Sequence, residues 1–209
     1  MTSRLHIGTF IALAVIAWVA LLWIRGTPIG WDHLWPYALV VSLLTLLGTA
    51  FDRWIWAWRA LRGWFVRRPD VRGTWHVELK SQWIDPDTGE PPDPIVCYMG
   101  IRQTLSRLSM RLMTPESSSS LIADKIIQSN DGVFHIAGVY SNTPNLELRG
   151  EQSEIHFGAL MFQVINDPPT SLQGHYWTDR NSSGTMVLSH RVDTVYSRYE
   201  DAHSAFSSE

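Results

Sequence analysis

The sequence predicts a two-helix transmembrane hairpin followed by an all-β, closed antiparallel barrel of roughly eight strands. Three observations carry this. Residues 1–72 hold 8 of the 17 basic residues but only 3 of the 20 acidic ones, so the front carries +5 and the remainder −8. Eight of the 11 Trp precede Trp75. After Arg72 the hydrophobic pattern changes from long apolar runs to strict alternation. Such a shift excludes a uniform soluble globule, and the 137 residues left after Arg72 are enough for one compact domain but not two.

The first helix is expected over about residues 7–24 (IGTFIALAVIAWVALLWI), which carry no charge. At 1.5 Å per residue this run reaches about 27 Å, close to a hydrocarbon core of roughly 30 Å. Residues 34–51 repeat its length and neutrality, and RGTPIGWDH between them holds the Gly and Pro of a tight turn. Domain 1–52 is therefore read as the hairpin. No cleavage pattern of small residues follows Ile24, so a secretory leader is the weaker reading. Six Arg between Arg53 and Arg72 crowd the exit of the second helix. The bias of basic loops towards the cytoplasm then predicts a multi-pass inner-membrane protein with both termini and the barrel cytoplasmic. Residues 53–72 (RWIWAWRALRGWFVRR at their start) read as an interfacial linker, with Trp54, Trp58 and Leu61 on one helical face and Arg able to reach headgroups.

The barrel is expected over residues 73–195. In GTWHVELKSQW, Trp75, Val77, Leu79, Ser81 and Trp83 alternate with Thr74, His76, Glu78, Lys80 and Gln82, giving one dry and one wet face. Further strands are predicted at 95–104, 105–114, 121–128, 133–142, roughly 146–151, 154–165, 172–178 and 184–190. Turn-forming stretches separate them, among them PESSSS, SNDG, NDPP and RNSSG. No amphipathic helix is long enough to cover a sheet, so the sheet must close on itself. Glu78, Lys80, Arg111 and Lys125 at outward positions exclude an outer-membrane barrel. Residues 196–209 are left as a tail.

Catalytic motifs are missing. There is no glycine-rich phosphate loop ending in Lys-Ser or Lys-Thr, no GxGxxG, no HExxH and no GxSxG. Asp85 and Asp87 begin like a calcium loop, but Gly89 comes one residue early and Val96 stands where the closing carboxylate belongs. His135, His156, His175 and His190 fall on separate strands, and the lone Cys97 can form no intrachain disulfide. No enzyme, no metal site and no cofactor are expected.

Candidate binding residues come from the strands with high polar density. Period two sends Gly174, Tyr176, Thr178 and Arg180 one way, which offers a ring, a hydroxyl and a cation in succession, as a phosphate with an attached base requires. Tyr140 and Asn142 share parity on another strand, as do Ile101 and Gln103. The competing reading makes the tyrosines core aromatics and leaves Arg180 in its turn. Gly73-Thr74-Trp75 with a late Arg191 resembles the pairing of lipocalins, in which a guanidinium stacks on an indole at the barrel end. Simple alternation from Met186 and Leu188 points His190 inward and Arg191 outward unless Arg191 packs across that end.

The hairpin, the Trp/Arg collar, the GTW strand, NTP after a Tyr, HFG and the closing GHYWTDRNSSGTMVLSHR together resemble the two-transmembrane, β-strand-rich effectors of CBASS, the cyclic-oligonucleotide-based anti-phage systems of bacteria. That resemblance implies an eight-stranded barrel that binds a cyclic dinucleotide, self-associates, and disrupts the inner membrane to arrest or kill the infected cell. It implies functional pairing with a cGAS/DncV-like nucleotidyltransferase (CD-NTase), contact with membrane lipid, and no DNA or RNA polymer as partner. Carried onto this chain, the pocket uses Tyr176, Thr178 and Arg180, with Trp75, Gln103, Tyr140 and Arg191 in support. Two other readings stay open: a membrane-tethered, lipocalin-like carrier of an apolar ligand, and a docking module whose barrel is filled.

Overall fold

The computed structural model describes residues 2–26, 30–84, 89–145 and 155–208, with the side chains at 2–11, 13, 31–34 and 36 left out. The chain divides into two compact units, residues 1–62 with 104–106, and residues 63–103 with 107–209.

In the first unit, α1 (Thr2–Ile24) and α2 (Trp31–Arg53) each run 23 residues. Trp18 of α1 stacks on Tyr37 of α2 at 4.6 Å, so the two helices pair. The hydroxyls of Thr45 and Thr49 donate back to the carbonyls of Val41 and Thr45, both at 2.8 Å, which satisfies them within the helix. Among the described residues, no helix is long and apolar enough to cross a membrane. This corrects the expected transmembrane hairpin and the multi-pass inner-membrane placement built on it. The helices extend past the apolar runs: α1 takes in Thr2, Ser3, Arg4 and His6, and α2 takes in Asp32, His33, Asp52 and Arg53. The expected helical face of Trp54, Trp58 and Leu61 is also corrected. Trp54 ends α2 with φ −131°, and two separate 3-10 turns follow, Ile55–Ala57 and Arg59–Leu61.

The second unit is a closed antiparallel barrel whose eight strands follow chain order. They are β1 (Gly73–Ser81), β2 (Ile95–Gln103), β3 (Leu108–Met113), β4 (Ser117–Gln128), β5 (Phe134–Pro144), β6 (His156–Ile165), β7 (Ser171–Thr178) and β8 (Ser183–Val192). Closure of β8 on β1 gives every strand two neighbours and removes the edges. The expected strand near 146–151 lies outside the described residues, as do Asp85 and Asp87. One turn signal fails: the PESSSS serines belong to β4, where Ser118 and Ser119 pair with Thr143 and Asn142 of β5.

One end of the barrel is solid. Trp75, Val77, Ile101, Ile136, Phe162, Leu172 and Leu188 are fully buried there, and Val71, upstream of β1, joins them at 0% exposure. The wet face expected on β1 is covered at its Thr74 end by the segment after β8, while Glu78 and Lys80 stay at the surface. The Thr74 hydroxyl donates to the carbonyl of Thr194 (2.7 Å) and accepts from the amide of Tyr196 (2.9 Å). At Gly100 the carbonyl of Tyr196 occupies the place of a side chain. The residues read as a tail then form α3 (Tyr199–Ser207), whose Ala202 and Phe206 pack with Tyr98 on the outer wall.

Candidate functional site

Towards the other end the same barrel is hollow. A cavity of about 550 Å³ opens among residues of all eight strands, within the 300–1,000 Å³ usual for small-molecule sites. Met99, Met110 and Met186 form part of its lining, thioethers that adapt to the shape of a guest. Leu79, Leu112, Leu121 and Leu160 supply apolar wall, and Thr114, Ser117, Ser119, Asn142, Thr178 and Ser182 supply hydroxyls and an amide.

Two tyrosines narrow the cavity, and each is placed by a glycine on the next strand. Tyr140 pairs in register with Gly158, and Tyr176 with Gly184. A Cβ at Gly158 would collide with the Tyr140 ring, and one at Gly184 would lie 2.6 Å from the Tyr176 ring. Each ring therefore lies flat over a backbone that has no side chain to displace it. Burial pushes the Tyr140 phenol up to about 12, with Tyr176 and Asp179 adding to the shift. Burial also raises Tyr176, opposed by a hydrogen bond with Ser81. Both phenols stay neutral at physiological pH, so they bring ring faces and hydrogen bonds to the site but no charge.

Polar contacts gather at the same end. The Thr178 and Ser182 hydroxyls lie 2.7 Å apart, tying β7 to the turn before β8. On the opposite wall the Asn142 amide donates to Ser119 Oγ (2.9 Å) and Ser117 Oγ (3.1 Å), and the hydroxyls of Ser117 and Thr114 are 3.1 Å apart. His156 and Glu116 also line the cavity, and no Lys or Arg does so among the described residues.

The residues expected at the site thus separate. Tyr140, Tyr176 and Thr178 line the cavity together. Arg180 is exposed in the turn after β7 and outside the lining, although its amide donates to Thr178 Oγ1 at 3.2 Å. Gln103, Trp75 and Arg191 lie at the solid end. Gln103 accepts from the Val71 amide at 3.0 Å and donates to the Pro69 carbonyl at 2.9 Å, which fixes the segment that plugs the barrel. Trp75 donates to the Val71 carbonyl at 3.0 Å, and Arg191 lies over the indole at 5.3 Å while donating to the Asp70 carbonyl at 2.9 Å.

A bulge explains how Arg191 reaches that position. Trp75 pairs with Arg191 and His76 with Ser189, so His190 has no partner across β1, and its φ is +42°. One extra residue reverses the parity of all that follow it. His190 turns out to solvent and Arg191 crosses the barrel end. Ser117 and Ser119 were missed as lining residues because a serine run reads as a turn. Their shared parity with Leu121 was the available signal.

A family model described as Cap15, cyclic dinucleotide receptor domain, matches residues 66–190, more than half of the chain. The match begins before β1 and so takes in the plug at Asp70 and Val71. No curated protein matches. The chain belongs to this family, a CBASS effector domain.

Proposed function

We propose, from its membership of the Cap15 cyclic dinucleotide receptor family, that this chain binds a cyclic dinucleotide inside the open half of its barrel. The observation that carries the reading is one cavity of about 550 Å³ holding two ring faces and a cluster of neutral donors. Tyr140 and Tyr176 stack the bases. The phosphates lie at the mouth, where Thr114, Thr178, Ser182 and His156 meet water and the guest's two charges need no burial. The reading assigns no chemical step to the ligand. The hollow argues against a filled docking module, and the aliphatic wall makes an apolar guest the proper control.

For the effector step we propose ligand-dependent self-association through the outer wall of β5–β7. There Val139, Ala159 and Trp177 lie in one cross-strand row, with Phe157 and Met161 on either side. Val139, Phe157, Met161 and Trp177 are all exposed, a patch larger than scattered surface apolars make. Membrane disruption and pairing with a CD-NTase belong to the same proposal.

The test is calorimetry of the full chain with cyclic dinucleotides and, separately, a fatty acid, followed by light scattering and vesicle leakage with and without ligand. Saturable nucleotide binding at one site per chain supports the reading. Binding of the fatty acid alone replaces it with a carrier. Ligand-independent particle size refutes self-association, and ligand-independent leakage refutes a switched action on lipid.

A further inference from the structure

We infer that Asn142 and Ser119 form a base-edge reader in the cavity wall and set which nucleobase the ligand carries, an inference that rests on the cyclic dinucleotide reading above. The two residues face each other across β4 and β5 in direct register. An asparagine amide has two donor hydrogens and one acceptor oxygen. Here both hydrogens are committed, one to Ser119 Oγ at 2.9 Å and one to Ser117 Oγ at 3.1 Å. The remaining Oδ1 accepts from no described group. The Ser119 hydroxyl, 7% exposed, accepts from Asn142, and its own hydrogen has no described acceptor.

An uncommitted acceptor and an uncommitted donor therefore stand side by side on the inner wall of the cavity. A phosphate has nothing to donate to Oδ1, and neither has a hydrocarbon chain. A nucleobase has an N–H beside an acceptor atom on its pairing edge, which complements both groups at once. Tyr140, two residues from Asn142 and on the same face of β5, offers the ring on which that base would stack. Sites of this kind discriminate strongly, because a base with the wrong edge leaves buried polar groups unpaired.

The experiment is calorimetry of the full-length chain and its Asn142→Ala and Ser119→Ala variants against cyclic di-AMP, di-GMP, di-UMP and mixed-base forms, with circular dichroism to verify folding. The wild type is expected to rank these ligands over at least about tenfold. Each variant is expected to lose roughly 10- to 100-fold for the best ligand, and the spread between best and worst to shrink. Equal loss for every ligand with the ranking intact, or unchanged affinity, overturns the inference and leaves the receptor reading standing. A wild type that binds no cyclic dinucleotide overturns both. Should Asn142→Ala fail to fold, Ser119→Ala decides alone, since it removes one donor and leaves the strand pairing in place.

Discussion

Gly158→Ala tests whether the cavity depends on a ring held over a bare backbone. A Cβ at that position meets the Tyr140 ring inside any real contact distance and lies 2.6 Å from the Trp177 carbonyl oxygen. The carbonyl cannot retreat, because Trp177 is paired to Ala159 in the β6–β7 ladder. The ring can move only by swinging into the cavity. Overpacking of this kind costs about 1–3 kcal/mol, and for a chain of this size each kcal/mol lowers Tm by roughly 2–4 °C. A ligand that stacks on Tyr140 has to return the ring against the same strain, so Kd rises roughly 5- to 150-fold. Thermal melts and calorimetry of Gly158→Ala, Tyr140→Ala and the double variant form a cycle. Truncating the ring removes the main obstacle to the new methyl, so the two substitutions couple by about 0.5–3 kcal/mol. Strict additivity in stability together with an unchanged Kd for Gly158→Ala refutes the reasoning.

Arg191→Ala removes the guanidinium over Trp75 and the donor to the Asp70 carbonyl. Urea melts should show about 1–2 kcal/mol of lost stability with ligand affinity unchanged, and a clear loss of affinity would refute the division into a solid and a hollow end. Cys97 is fully buried, and burial pushes its thiol up to about 12 from an ordinary value near 9. The unfolded chain ionises first, so stability that is complete below pH 9 falls by about 1.4 kcal/mol per pH unit above it. Urea melts from pH 8 to 11 should lose this slope in Cys97→Ala, and an unaltered slope contradicts the assignment. His76 is held below its ordinary value first by burial and then by His190. Its ring centroid lies 6.2 Å from that of Phe206 of α3, so as pH falls through about 6.5 the state with α3 undocked takes up the proton more readily and docking weakens. Amide exchange in α3 should quicken from pH 7 to pH 5, and exchange that follows only the intrinsic pH trend argues against it.

The strands were legible because alternation and turn residues are local signals. β1 shows this best: Trp75, Val77 and Leu79 point in and Glu78 and Lys80 point out, as their order alone dictates. The hollow was half legible. Tyr140, Tyr176 and Thr178 follow from parity within strands that read as strands, whereas Ser117 and Ser119 share the parity of Leu121 but sit in a serine run that reads as a turn. Arg191 required a bulge, which depends on a register that no single strand encodes. The plug at Asp70 and Val71 and the covering helix α3 were hidden for a related reason. Each is defined by a partner far away in sequence, Gln103 for the plug and Tyr98 for α3. For the two N-terminal helices, residue order predicted the pairing of α1 with α2 but not how far each helix extends into polar sequence.

The absence of Lys and Arg among the described lining residues sets the electrostatics of binding. Residues 73–209 carry −8, and a cyclic dinucleotide carries two more negative charges. Long-range Coulomb terms therefore oppose the encounter, while in the proposed complex stacking on Tyr140 and Tyr176 and neutral hydrogen bonds favour the bound state. Salt screens the first and leaves the second nearly untouched, since the Debye length shrinks from about 10 Å at 0.1 M to about 3 Å at 1 M. Affinity should stay level or rise modestly between 0.05 and 0.5 M salt, the reverse of a site built on phosphate ion pairs. Calorimetry across that range, repeated with Arg180→Ala, measures both the slope and the part played by the one motif cation near the mouth. A tenfold loss of affinity with salt that vanishes in Arg180→Ala would show that Arg180 pairs with a phosphate from outside the cavity wall, and would defeat the neutral-donor account.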